Sequence, residues 1–421
     1  MNLNQKEIDV AVIGAGPAGL AAAIKAKETG AENVILMERA EQLGGLLHQC
    51  VHNGFGLLYF NEDLTGPEYA HRFIEKATDL KIGLQLETMV IRISPDREIS
   101  AVSSKGGYLT FRPMAIVLAM GCRERSRGAI NIPGTRPAGI FTAGTAQRFV
   151  NVDGFTPGKR IVILGSGDIG MIMARRLTLE RAKVEAVVEI LPYVGGLIRN
   201  EVQCVHDFNI PLLLEHTVTK IHGEQRIEAV TMAKIDKERN PIAKTERRIE
   251  CDTLLLSVGL IPENELSLMA GVELDPITGG PIVDENRQTN VSGIFAGGNV
   301  VQVHDLVDNV SWESELAGAS AVRFSRGEEV LKKGKIALRA GRNIRYIVPQ
   351  TITGKSEVTL YMRVNEPEEA VRLRVGNIMS KTFRAVKPSE MLKLDLSLAQ
   401  LKKLKERTKE IVIDCERRGG R

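Results

Sequence analysis

The chain has 421 residues, 43% of them hydrophobic and 26% charged, with a net charge of +4 at pH 7, as in an ordinary globular protein of two or three domains. No apolar run reaches the roughly 18 residues of a membrane span, and the polar N-terminus leads straight into a strand, so the expectation is a cytoplasmic protein without leader or anchor. Five scattered cysteines (Cys50, Cys122, Cys204, Cys251 and Cys415) form no CxxC and no metal-like spacing, which argues against a disulfide scaffold, an iron–sulfur cluster or a bound metal.

Residues 9–14 read as an apolar strand, Ala18–Lys27 as an alanine-rich helix, and Val34–Glu38 as a second strand, apolar on both faces like a buried parallel strand. The turn between them, VAVIGAGPAGLAAA, is a GxGxxG fingerprint. Gly14 permits the tight turn, Gly16 lets the backbone approach a pyrophosphate, and Gly19 lets helix and strand pack closely. Pro17 and Ala18 open a helix whose free N–H groups attract phosphate. Glu38, 24 positions after Gly14, is placed to accept from ribose hydroxyls, with Arg39 beside it at solvent or at the adenine edge. Gly44–Gly45 then breaks the chain and joins the candidate binding set.

Pro67–Thr78 reads as a helix, Met89–Ile93 and Tyr108–Phe111 as parts of a β-meander, and Ala115–Met120 as a strand ending at Gly121. Gly128–Gly158, rich in turn residues, reads as a crossover. A second βαβ unit runs from Arg160 to Glu189. Its turn, RIVILGSGDIGMIMA, repeats the fingerprint with Gly165, Gly167 and Gly170, with Asp168 and Ile169 opening the helix and Glu189 again 24 positions on. Strands at Ala229–Ile235 and Thr253–Val258 complete that unit. Gly259 and LIPEN return the chain to the first domain, where GIFAGGNV reads as strand and turn and Ser314–Ser325 as a helix.

The expected organisation is α/β with two Rossmann-like three-layer ββα domains. A first domain over 1–127 and 261–330 is split by an inserted domain over 128–260. From Leu331 the pattern alternates with period two (RYIVPQTIT, EVTLYMRV, AVRLRVGN, LKLDLS), with a short helix at Leu398–Arg407, so 331–421 reads as a β-rich domain of antiparallel strands. It holds 22 Lys and Arg against 10 Asp and Glu, a net +12 that leaves −8 on the remainder. This asymmetry fits a solvated surface or a docking face for an acidic partner or anionic lipid. No basic stripe interleaved with aromatics is present, which argues against nucleic acid.

Two dinucleotide fingerprints in one chain point to electron exchange between two dinucleotides, the arrangement of a flavoprotein with a nicotinamide site. AIVLAMGCRER brings Ala119 and Gly121 close to FAD, and Gly298 and Asn299 place a polar group near its ribityl chain or pyrophosphate. The following helix is expected to aim its N-terminus at the flavin N1/O2 edge. A carboxylate at Glu189, with no arginine cluster after it, repels a 2′-phosphate and favours NAD(H) over NADP.

These segments resemble the superfamily of glutathione reductase and thioredoxin reductase over residues 9–325. The wording GGLLHQCVHNGFG, LTGPEYA, GCRERSRGAINIPGTRPAGIFTAGTAQRFVN, SGDIGMIMARRLTLE, LLLSVGLIPENELS and VHDLVD is similar to one subgroup: the flavoprotein reductase found beside bacterial glycerol-3-phosphate dehydrogenase, related to the α subunits of dye-linked amino-acid dehydrogenases and opine oxidases. The resemblance implies FAD, a nicotinamide site, and electron transfer within a homo- or hetero-oligomer, to a partner dehydrogenase subunit or a small carrier. The superfamily's disulfide reductases need two neighbouring cysteines, and Cys50 stands alone. His48, Cys50 and His52 are candidate catalytic groups, as proton donors to the flavin or, for Cys50, through a sulfenic acid. Packed structural residues are the plainer reading of all three. Two rivals remain: a self-sufficient NADH oxidase or peroxidase using Cys50, and a regulatory or scaffold subunit in which the second nucleotide is structural. His304, Asp305 and Asp308 lie too close together for a backed metal site.

Overall fold

A computed structural model describes residues 7–328, 336–405 and 407–417. The chain divides into two compact units, residues 1–122 with 262–421, and residues 123–261. Between the described stretches lies Leu331, the expected start of the β-rich domain, which therefore falls outside the described residues. Two short strands, Cys122–Glu124 and Leu260–Pro262, pair in a sheet of their own. Among the described residues no helix is long and apolar enough to cross a membrane.

The larger unit is built on a parallel five-stranded sheet in the order Ile294–Ala296, Ala115–Leu118, Val10–Ile13, Val34–Met37, Gly83–Gln85. Four of its strands are continuous apolar runs because both faces are covered, whereas the edge strand Gly83–Gln85 is partly exposed. Helices Pro17–Glu28, Gly66–Asp79 and Val307–Ser325 cover one face, in a core with Leu20, Leu36, Tyr69 and Phe295. The antiparallel meander Thr88–Ile93, Ile99–Ser103, Gly107–Phe111 covers the other through Val90, Ile93 and Ile99. The first and last of these helices pack closely, since a methyl at Gly318 would lie 2.1 Å from the Ala22 carbonyl oxygen. The Val307–Ser325 helix begins seven residues before its expected start at Ser314.

The smaller unit repeats the plan. Its parallel sheet runs Ile140–Thr142, Thr253–Leu256, Arg160–Leu164, Lys183–Val188, Leu212–Leu213. Two expectations need correction here. The stretch read as a bare crossover, Gly128–Gly158, contributes an edge strand and the nine-residue helix Ala143–Asn151, whose Thr142 side chain accepts from Thr145 N. The strand at Ala229–Lys234 does not complete the parallel sheet. It is the centre of a separate antiparallel sheet with His216–His222 and Arg247–Glu250, packed below through Val230 and Met232.

Beyond residue 336 two sheets share one apolar core. The first runs Thr351–Ile352, Ile336–Ala340, Glu410–Arg417, Glu368–Val375, Met379–Val386, and the second Ile344–Val348, Val358–Val364, Leu392–Leu396. The pairing is antiparallel as expected, except that Ile336–Ala340 runs parallel to Glu410–Arg417. RYIVPQTIT splits between the two sheets, with a cis peptide at Val348–Pro349. The expected helix Leu398–Arg407 shortens to Leu398–Leu401, and Glu406 within it lies outside the described residues.

Candidate cofactor-binding site

The first fingerprint makes a tight cradle between strand Val10–Ile13 and helix Pro17–Glu28. Gly14 has φ +96° and donates its N–H to the Met37 carbonyl at 2.8 Å, and a methyl there would lie 2.5 Å from the Ala119 carbonyl oxygen. Neither the backbone angle nor the space admits a side chain. A methyl at Gly19 would sit 1.7 Å from the Gly14 carbonyl oxygen, whereas one at Gly16, the residue before the helix, would meet nothing within 4 Å. The open side of the turn is thus above Gly16, where the helix presents its free N–H groups. Pro17 is the first helical residue and Ala18 is buried behind it.

Glu38 is buried, and its two oxygens are held apart. Oε2 accepts from Ala15 N at 2.8 Å, and Oε1 from Ala40 N at 2.9 Å. A carboxylate oxygen that accepts one hydrogen bond keeps a lone pair for another donor. Arg39 is exposed. Gly44 donates to the Ala15 carbonyl at 2.8 Å, and a methyl at Gly45 would lie 2.9 Å from Gly16 Cα, so this second glycine pair forms the far wall of the same cradle.

The second unit builds the same device from different residues. Gly165 has φ +97° and donates to the Val188 carbonyl at 2.7 Å, and a methyl there would lie 2.1 Å from the Ser257 carbonyl oxygen. Glu189 Oε2 accepts from Ser166 N at 2.8 Å and Ser166 Oγ at 2.6 Å, while Oε1 accepts from Leu191 N at 2.9 Å. Gly167 precedes the helix, Ile169 lies in its first turn, and Gly170 N donates to Ser257 Oγ at 3.1 Å. Asp168 turns inward, accepting from Leu197 N at 2.8 Å and Asn200 Nδ2 at 2.6 Å, so it ties down the 195–200 loop. Gly259 is exposed at φ +100°.

Sequence reasoning missed that loop. Gly195 N donates to Ser166 Oγ at 2.8 Å, the counterpart of Gly44 on Ala15. The signal was present: a Gly–Gly pair follows each clamping glutamate by six residues, in ERAEQLGGL and EILPYVGGL.

The remaining flavin-side candidates gather around the first cradle. Ala119 N donates to the Ile13 carbonyl at 2.9 Å, and Gly121, at φ +72°, accepts from Glu263 N at 3.0 Å. A methyl at Gly298 would lie 2.8 Å from Ala18 Cβ, which brings the GIFAGGNV turn onto the start of the first helix. Asn299 Oδ1 accepts from His304 N at 3.0 Å, and its Nδ2 reaches Cys122 Sγ at 3.6 Å.

Of the three catalytic candidates, His48 lies against the first cradle. His48 Nε2 donates to the Leu43 carbonyl, and its ring lies over Gly44. Cys50 is buried against Gly66, its thiol donates to the Leu46 carbonyl at 3.5 Å, and burial pushes it up to about 12. A thiol held protonated in this way is a poor nucleophile. His52 bonds the Asn53 carbonyl at 3.0 Å and packs on Phe55. His304, Asp305 and Asp308 turn to different partners: Glu313, Arg363 and the Tyr59 N–H.

The family model described as pyridine nucleotide-disulphide oxidoreductase matches residues 8–314. One component of the opine oxidase of Agrobacterium tumefaciens (strain Ach5) is 25% identical over 309 residues, 69% of this chain and 61% of that protein, so the chain spans less than two thirds of that relative's length. Thioredoxin reductase of Mycolicibacterium smegmatis is 27% identical over 334 residues, 77% of this chain and 96% of that protein. The crystal structure of T. acidophilum thioredoxin reductase superposes with a TM-score of 0.62 at 24% identity, covering 75% of this chain and 98% of that one, and shares its fold.

Proposed function

The chain belongs to the pyridine nucleotide-disulphide oxidoreductase family of FAD-dependent NAD(P)H oxidoreductases, and from that premise we propose that the larger unit holds FAD and the inserted unit NAD(H). One observation carries this reading: the same glycine turn clamped by a bidentate glutamate is built twice, once in each unit. Bound FAD supplies a two-electron acceptor and the nicotinamide a hydride. The chain's part is to bind and orient. Gly16 leaves room for one pyrophosphate, Gly167 precedes the helix that would face the other, Glu38 and Glu189 hold the ribose ends, and Ala119, Gly121, Gly298 and Asn299 flank the flavin side.

Glu189 favours NAD(H), since its carboxylate repels a 2′-phosphate. Cys50, buried and lacking a neighbouring cysteine, serves packing rather than dithiol exchange. Electrons pass to or from a partner, a dehydrogenase subunit or small carrier. The relative named as an opine oxidase component supports work within a multi-component enzyme, and the quoted segments support a partner of the glycerol-3-phosphate dehydrogenase type. A homo- or hetero-oligomer in the cytoplasm completes the reading. Anaerobic mixing with NADH tests it. The visible flavin band of the purified, FAD-loaded protein should bleach. A band that stays unchanged would make the second nucleotide structural and the chain a scaffold subunit.

A further inference from the structure

The C-terminal sheets carry no nucleotide fingerprint, yet they reach the loop that follows the turn flanking the flavin side, beside a buried group that holds that turn. Glu313, in the Val307–Ser325 helix, has a side chain with no exposed surface. Its Oε2 accepts from Gly298 N at 2.9 Å and from His304 Nε2 at 2.9 Å, while Arg287 Nε lies 3.2 Å from Oε1. Burial pushes this carboxyl up, but His304 and Arg287 outweigh it and the net displacement is downward, so Glu313 stays ionised beneath the turn. The Arg287 guanidinium and the His304 ring both face Tyr361 of strand Val358–Val364, at 5.9 and 5.1 Å between centres.

Two residues further along that strand, Arg363 is largely covered, with 13% of its side chain exposed, and reaches four acceptors at once. It donates to the Val303 carbonyl at 3.1 Å, the Pro388 carbonyl at 3.1 Å, the Tyr346 hydroxyl at 3.1 Å, and Asp305. Asp305 in turn accepts from Met391 N at 2.6 Å. Lys393 Nζ sits 4.2 Å over the ring of Trp312, beside Glu313 in the helix. The loop 302–306, which joins the Gly298 turn to that helix, is therefore gripped from the C-terminal sheets by a charged fork. A planar five-donor group is suited to such multiple bonding, and burying it without partners would be costly.

We propose that the C-terminal β-domain is a positioning domain for FAD, with Arg363 as its positioning residue. Through Asp305 and the Val303 carbonyl it fixes the loop that sets the Gly298–Asn299 turn. This rests on the reading that the first cradle holds FAD. Arg363 touches none of the residues assigned to the nucleotide, so its effect passes entirely through the loop.

The test compares the full-length protein with R363M, D305N and, as a control in the same domain, R374M, whose arginine pairs with Asp414 and Glu416. The readouts are the FAD dissociation constant of the stripped chain, the visible circular dichroism of the retained flavin, and the unfolding midpoint of the apoprotein. R363M and D305N should each weaken FAD binding roughly tenfold and alter the flavin dichroism, by more than any drop in apoprotein midpoint accounts for; R374M should change neither. If R363M does not fold, D305N decides alone. Unchanged FAD affinity in a folded variant overturns the proposal, as does a loss that merely follows a lowered apoprotein midpoint. A wild-type chain that takes up no FAD overturns the functional reading and this one together.

Discussion

Glu38 and Glu189 show how much one side chain settles at a nucleotide turn. Each accepts a backbone N–H from the glycine loop on one oxygen and the N–H two residues after itself on the other. The carboxylate is thus a strut of the turn before it is a ligand group. At Glu189 its charge has a second consequence, because any 2′-phosphate in the cradle would face it. Glu189→Gln keeps an acceptor for Ser166 and removes the charge. The preference for NADH over NADPH, measured as a ratio of kcat/KM values, should fall roughly tenfold, the equivalent of about 1.4 kcal/mol of relieved repulsion. A ratio that does not move would show that selectivity lies elsewhere.

At the scale of elements, the strands are tied at their ends by similar struts. Glu368, at the start of Glu368–Val375, receives a fork from Arg342 at 2.8 and 2.6 Å and a further bond from Arg417 at 3.2 Å. Arg342 foremost, then Asn343 and Arg417, brings this carboxyl from its usual 4.5 down to about 2. Because the folded value is the lower one, the pair's contribution is complete above about 4.5 and is lost as pH falls towards 2. The arginines are largely solvated, so Glu368→Gln should cost only about 1 kcal/mol at neutral pH. In denaturant titrations the gap between variant and wild type should close on acidification through that window.

Elements of this length also mark where sequence reading succeeds. Val10–Ile13, Val34–Met37 and Ala115–Leu118 were legible because strands covered on both faces leave unbroken apolar runs. Ile140–Thr142 was not, because a three-residue edge strand among glycines and prolines carries no period. Ala229–Lys234 has the right composition for a strand, but nothing local says which sheet it joins. Both fingerprints, with Glu38 and Glu189, were legible as glycines at fixed spacing. The buried group of Arg287, His304 and Glu313 was not, since polar residues read as surface until folding places their side chains inside.

Across the whole molecule, the two cradles lie in separate compact units and should fail separately. Gly165→Ala places a methyl 2.1 Å from the Ser257 carbonyl oxygen within the smaller unit. The variant should purify with its full complement of FAD while reduction by NADH, followed by rapid-mixing absorbance, slows roughly a hundredfold. Loss of flavin from this variant would contradict the assignment of one nucleotide to each unit. The chain has a single tryptophan, and it rests beneath the Lys393 ammonium where the Val307–Ser325 helix meets the C-terminal sheets. The protein thereby carries its own optical beacon at that seam: parting the sheets from the helix will redden the indole emission with no dye attached.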